Sequence, residues 1–285
     1  MAVTCSLTQL FSEVSHVLAV FALACYLASA VWLASSVYQA EGTGARGRRV
    51  AGLALGAVAL IAHVALLWQS TFGHGVPSFT MAETASLIGL PIGLIALLLS
   101  WRRPRFAAIA AVLLAIAGVV AAVTDEGASR FALEHNDWEI AAHIVLSTFA
   151  YALLTIAAAM SIALALLDSR LRSRRPLGKL ATLPSVEALE AGTFYALGAG
   201  FAVLTLALFS GFIFIDDLFA QNLSRKTILS CLAWLVFAVL LFGRWQFGWR
   251  GRTATRWTLS GFGLLGLAYF GSKLVLETIL GRHWG

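Results

Sequence analysis

Long apolar runs alternate with short polar segments along nearly the whole chain, and the runs are apolar on every face rather than amphipathic. A helix needs about 20 residues to cross bilayer hydrocarbon, and eight stretches are read as spans: 14–38, 50–68, 82–101, 106–123, 140–167, 191–215, 227–247 and 259–280. The connections between them are mostly short, which leaves no room for a soluble domain. The pattern predicts an all-α, polytopic membrane protein of eight transmembrane helices, organised as a single integral-membrane domain over residues 1–285.

Composition agrees, with 60% hydrophobic and 12% charged residues, about half the charged fraction of a soluble globule. Because Lys and Arg are retained in cytoplasmic loops, the basic residues set an orientation. Arg46, Arg48 and Arg49 follow the first span, and Arg102, Arg103 and Arg105 the third. Arg170, Arg172, Arg174, Arg175 and Lys179 follow the fifth, and Arg244, Arg250, Arg252 and Arg256 accompany the end of the seventh. The opposite loops carry Asp125, Glu126, Glu134, Asp137, Glu139, Asp216 and Asp217. Both termini are therefore expected on the outer, periplasmic side. The first span follows no positive residue, so it is expected to stay as a helix rather than act as a cleaved signal.

The net charge of +6 does not point to nucleic acid, since the positive groups are divided among loops as topology requires. The basic half of the 168–190 connection can bind anionic lipid headgroups, although topology alone also accounts for it. Cys5, Cys25 and Cys231 are isolated, which excludes a Cys-x-x-Cys redox pair and a c-type haem attachment site. Neither a catalytic triad pattern nor a phosphate-binding glycine loop occurs, so the chain is not expected to be an enzyme.

Histidine is the most informative residue type. All six, His16, His63, His74, His135, His143 and His283, fall on the expected outer side. His74, His135 and His283 have an ordinary explanation as solvated loop or terminal residues, and His16 lies near the interface. His63 and His143 fall within spans, where a polar ring is costly and faces the protein interior with a partner. At about 1.5 Å per residue, both lie within one or two turns of the outer surface, so they could bracket a haem iron. Interhelical hydrogen bonding that glues the bundle is the alternative use.

On the fifth span, His143, Ser147 and Tyr151 recur at four-residue spacing and form one polar stripe that needs a partner. Thr80 and Glu83 have the spacing of a capping box, the segment 73–78 is turn-like, and Pro91 is placed to kink the third span. Trp68, Trp101, Trp138, Trp245, Trp249 and Trp257 sit at span ends, as an interfacial belt would, while Trp32 and Trp234 are expected to be packing groups.

Several motifs follow one another along the chain. His63-Val-Ala-Leu-Leu-Trp68 is followed by Pro77-Ser-Phe-Thr-Met-Ala-Glu83. His143 with Tyr151-Ala152, Pro184, then Gly200-Phe201-Ala-Val-Leu204-Thr205-Leu206 and Gly211 come next. Trp234-Leu-Val-Phe-Ala238, Gly248-Trp-Arg-Gly251 and Tyr269-Phe270-Gly271 complete the order. Taken in order, these motifs resemble the cytochrome c assembly family of polytopic haem-handling proteins, the CcsA and CcmC type, and within it the smaller YpjD-type branch, the first two being similar to the family's histidine helix and Pro-to-Glu loop.

The resemblance implies a multi-pass protein of the bacterial inner membrane that binds haem, or presents it outside for attachment to apocytochrome c. It implies His63 and His143 as iron ligands, with His283, Glu83 and Tyr151 as further cofactor-binding candidates. Membrane lipid, haem and other cytochrome c maturation or membrane proteins are the implied partners. The chain departs from the family pattern in two places. The 216–226 loop has no tryptophan, and Phe242 stands where relatives carry a transmembrane histidine. The family's second outer histidine would fall near Leu280, with His283 just beyond. These departures keep open an alternative, an accessory or regulatory subunit of another membrane protein that has lost haem binding. A secondary transporter ranks last, because no mid-membrane carboxylate is present and Pro91 is the sole internal break.

Overall fold

The computed structural model describes residues 2–38, 43–72, 78–79, 81–123, 131–132, 138–214 and 223–274. Among them the chain forms eight α-helices: α1 Ala2–Val37, α2 Thr43–Phe72, α3 Met81–Arg102, α4 Ala107–Ala122, α5 Trp138–Arg172, α6 Val186–Phe214, α7 Leu223–Phe247 and α8 Gly251–Leu274. Seven of them, α1 to α7, are long and apolar enough to cross a membrane. Over its described residues α8 falls short of that measure, since Gly261, Gly263, Gly266 and Gly271 dilute its apolar side chains and Lys273 lies near its end.

The all-α expectation holds among the described residues, where two connections also form a two-residue ladder, β1 Ser78–Phe79 pairing antiparallel with β2 Phe131–Ala132. Strands this short leave no alternation to read in a sequence.

Helix ends follow local chemistry. Pro104 disfavours helical geometry at Arg103, which takes φ −133°, and a short 3-10 turn at Pro104–Phe106 leads into α4. At the start of α6, the Ser185 hydroxyl accepts the Ala188 N–H at 3.3 Å, an N-cap directly after Pro184. The 168–190 connection is shorter than the sequence suggests, because α5 continues to Arg172 with Asp168 and Arg172 paired one turn apart. It closes with Arg174 in the left-handed region at φ 50° and the Arg175 N–H on the Arg170 carbonyl at 3.3 Å.

Two compact units divide the chain, Met1–Asn136 and Asp137–Gly285. In unit 1, α1 packs on α2 and α4, and α3 packs on α2 and α4. Small residues let these helices approach closely, as expected inside a membrane where hydrocarbon offers no competing drive to associate. The Ser29 hydroxyl donates to the Gly52 carbonyl at 2.7 Å, across α1 and α2. At one end of the unit, the Arg49 guanidinium reaches the Ser100 carbonyl at 2.7 Å and also the Trp101 carbonyl, capping the last turn of α3.

In unit 2, α5 packs on α6 and α8, with α7 on α6 and α8. Its core includes Leu154, Leu197, Phe237, Leu240 and Leu265. The α7–α8 turn depends on Gly248 at φ +64° and Gly251 at φ +55°. Gly248 reverses the chain so that the Trp249 N–H meets the Gly243 carbonyl at 3.2 Å and its ring covers Gly243.

Apolar side chains also cover the outside. Val17, Val31, Ile61, Leu206, Phe209 and Leu235 are all exposed. In water so much apolar surface would drive association; against lipid it costs nothing.

Candidate functional site

α2 carries His63 to the centre of unit 1 because Ala59, Ala62, His63 and Leu66 form one buried face at helical spacing. The imidazole is 0% exposed. Its Nε2 lies 2.8 Å from the Ser86 hydroxyl on α3, and its Nδ1 lies 3.2 Å from the Tyr26 phenol on α1. The Tyr26 and His63 rings meet edge to face, with centroids 5.9 Å apart.

Glycines make the room for this. A Cβ at Gly93 would stand 2.9 Å from the Tyr26 phenol oxygen, and one at Gly118 would stand 2.8 Å from Tyr26 Cβ. A neutral imidazole offers one donor and one acceptor, and two hydroxyl partners satisfy either tautomer. His63 is thus a fully satisfied junction joining three helices.

His143, one turn and a half into α5 of unit 2, is held differently. Its Nδ1 lies 3.0 Å from the Ser210 hydroxyl on α6, and that hydroxyl donates its hydrogen to the Ala207 carbonyl at 2.8 Å. With its hydrogen directed at Ala207, the Ser210 hydroxyl is an acceptor toward the ring, an arrangement that suits an Nδ1–H tautomer. Ser147 approaches Nε2 at 3.4 Å, near the limit of hydrogen bonding. The ring is half-buried, and Gly211 lies so close that an added Cβ would be 3.1 Å from His143 Cε1.

The polar stripe on α5 therefore has two partners. His143 and Ser147 face α6, whereas the Tyr151 hydroxyl donates to the Leu265 carbonyl on α8 at 3.4 Å and its ring meets Tyr269. Glu83 stands in the first turn of α3, where a carboxylate offsets the helix dipole; its capping partner Thr80 lies outside the described residues. His16 is exposed. His74, His135, His283 and most of the 216–226 loop lie outside the described residues.

His63 belongs to unit 1 and His143 to unit 2, and among the described residues no group of three or more His, Cys, Asp or Glu side chains is placed to hold a metal ion.

For haem, the residues present fit unequally. The setting of His143 suits a metal ligand, with an outer hydrogen bond at Nδ1 and Nε2 met by Ser147 at 3.4 Å. His63 could offer Nε2 only if Ser86 gave way.

Tyr26, Ser86 and Ser210 are missing from the sequence-based candidates. A tyrosine deep in an apolar span, with glycines at Gly89 and Gly93 on another, is the signal that could have found the first two. Ser210 had only its place one residue before Gly211. Trp68, Trp101, Trp138 and Trp245 are exposed at helix ends as expected. Trp249 and Trp257 are half-buried, packed against the unit 2 core with ring centroids 5.6 Å apart.

The cytochrome C assembly protein family matches residues 51–280, most of the chain. The chain belongs to the cytochrome c assembly family. Within it, the inner membrane protein YpjD of Escherichia coli K12 is 38% identical over 137 residues, 48% of this chain and 52% of the relative. An uncharacterised 28.8 kDa protein of Azospirillum brasilense is 38% identical over 141 residues, 49% of this chain and 52% of the relative. The cytochrome c biogenesis protein CcsA of Gloeothece citriformis is 27% identical over 122 residues, 42% and 37% of the two chains. The chain spans about half the length, or less, of these curated relatives. No solved structure matches it. With its seven apolar helices, this cytochrome c assembly family member is a multi-pass inner-membrane protein.

Proposed function

We propose that this family member is a non-enzymatic haem-handling factor of cytochrome c biogenesis, with eight spans and both termini on the outer side. The observation that carries the proposal is the setting of His143: Ser210, with its hydrogen directed at Ala207, lies 3.0 Å from Nδ1, and Nε2 is met by Ser147 at 3.4 Å. The CcsA relatives named as cytochrome c biogenesis proteins support the direction. When bound, haem would supply an iron that accepts an imidazole nitrogen.

His143 then holds the group through Nε2, and Ser210 orients the ring. Within unit 1, His63 would become an iron ligand only with Ser86 displaced, Tyr26 staying on Nδ1 as its outer partner. Glu83, Tyr151 and His283 are supporting candidates for the same cofactor, and membrane lipid and other maturation proteins are the partners.

The test is haem titration of the full chain in mild detergent, read by absorption. The expected result is a liganded-haem spectrum that His143→Ala abolishes. An unchanged spectrum in that variant sinks the assignment. A liganded-haem spectrum altered by His63→Ala would make His63 an iron ligand as well.

Two observations favour a second reading, an accessory or regulatory subunit without haem. Both nitrogens of His63 are already bonded, and Phe242, where the resemblance places a histidine, is 54% exposed on α7. On this reading, alanine at both histidines lowers stability without altering cofactor content, and the protein co-purifies with a fixed membrane partner.

A further inference from the structure

We infer that the basic end of unit 2 is a binding site for the phosphodiester headgroup of an anionic phospholipid, gripped by Arg172, Arg250 and Arg252. Two carboxylates organise the arginines from behind. Arg172 Nε lies 2.9 Å from both Asp168 oxygens, and Arg252 Nε lies 3.5 Å from Asp168 Oδ2. Arg250 Nε lies 2.9 Å from Glu190 Oε1, which also takes Arg244 Nη1 at 2.8 Å. Four guanidinium groups thus meet two carboxylates, and the local charge stays positive.

The geometry matters more than the sum. Arg172, Arg250 and Arg252 are each paired with a carboxylate through Nε, and the side chains remain 62%, 69% and 61% exposed. Planar guanidinium edges held in this way suit the paired oxygens of a phosphodiester, at less cost in side-chain freedom than loose lysines would incur. Retention of positive charge in cytoplasmic loops does not explain the arrangement, since that needs cations but no carboxylates among them.

Arg174 adds a second sign of demand for charge. It occupies a left-handed backbone position, φ 50°, where glycine would be unstrained. A lipid rather than free phosphate is favoured because Trp245 and Phe247, exposed at the end of α7 next to Arg244, provide an apolar border for acyl chains.

The experiment uses the delipidated full chain and measures binding to phosphatidylcholine vesicles with and without phosphatidylglycerol. Arg252→Gln is expected to weaken binding to the anionic vesicles about fivefold, whereas Arg105→Gln, which removes the same charge from unit 1, leaves it unchanged. Asp168→Asn discriminates further: it makes the protein more positive yet releases Arg172 and Arg252, and it is expected to weaken binding.

Binding that is unchanged or tighter in Asp168→Asn, or equal losses in Arg252→Gln and Arg105→Gln, would overturn the site in favour of bulk charge. Displacement of the vesicles by equimolar inorganic phosphate would overturn the lipid assignment. Elution volume and helical circular dichroism establish folding; should Asp168→Asn misfold, the comparison of the two glutamine variants decides.

Discussion

Replacing Ser86 with alanine removes the oxygen 2.8 Å from His63 Nε2 and puts nothing in its place. Ser86 is 4% exposed and His63 0%, so bulk water cannot take over the contact. An orphaned buried polar group costs about 1–3 kcal/mol, but side-chain hydrogen bonds between membrane helices average only about 0.6 kcal/mol and reach about 1.7, because the unfolded chain finds other partners. The smaller scale governs here, near its upper end, since the ring is enclosed by three helices and its other nitrogen is already committed to Tyr26.

The expected coupling between His63 and Ser86 is therefore about 1–1.7 kcal/mol. The assay is a double-mutant cycle of parent, Ser86→Ala, His63→Leu and the double variant, with reversible unfolding followed in mixed micelles. Ser36→Ala is a control, because that hydroxyl bonds only within its own helix turn. Additivity of the two changes to within about 0.3 kcal/mol, the limit for sites that do not interact, would refute the view of His63 as a junction.

Gly211→Ala places a Cβ 3.1 Å from His143 Cε1; overpacking should cost about 1–3 kcal/mol in thermal unfolding, and parent-like stability would show that the ring moves freely. Gly248→Ala imposes a side chain at φ +64° and is expected to cost about 1–2 kcal/mol. Arg174→Gly relieves the same strain at φ 50° and should stabilise by about 0.5–1 kcal/mol; equal signs for these two variants in the same melt would contradict the argument. For topology, alkaline phosphatase fused at the C terminus should be active, and fused within residues 173–185 inactive. The reverse pattern would invert the proposed orientation.

Spans were legible because burial in hydrocarbon demands apolar residues all round a helix, and that demand leaves a continuous local signal. Boundaries were less so: α5 runs to Arg172 past the expected limit because helix hydrogen bonds and the Asp168–Arg172 pair persist beyond the apolar stretch. The two-residue ladder at Ser78–Phe79 and Phe131–Ala132 joins segments more than fifty positions apart, and no local pattern records such a pairing. The packing of Trp249 was hidden for a similar reason, since it depends on the left-handed turn at Gly248, which lays the ring over Gly243.

His63 and His143 were each visible as polar residues in apolar helices, together with the expectation that each needs a partner. The identity of those partners was not visible. Tyr26 lies 37 positions from His63, and Ser210 lies 67 from His143; serine and tyrosine within helices are common enough that spacing singles out neither. The resemblance to the cytochrome c assembly family was likewise carried by residues in order along the chain, and the match over residues 51–280 bears it out.

What the sequence alone determined was therefore the solvent of this protein, its helices and its family, since each depends on residue type and order. Tertiary structure alone decided the chemical state of the two imidazoles. A histidine's free nitrogen is set by which hydroxyls reach the ring and where their own hydrogens go, and those contacts come from neighbouring helices. That is why two histidines with similar local sequence signals differ, one held at 3.2 and 2.8 Å by hydroxyls of two other helices, the other at 3.0 Å by Ser210 of one other helix and at 3.4 Å by Ser147 of its own.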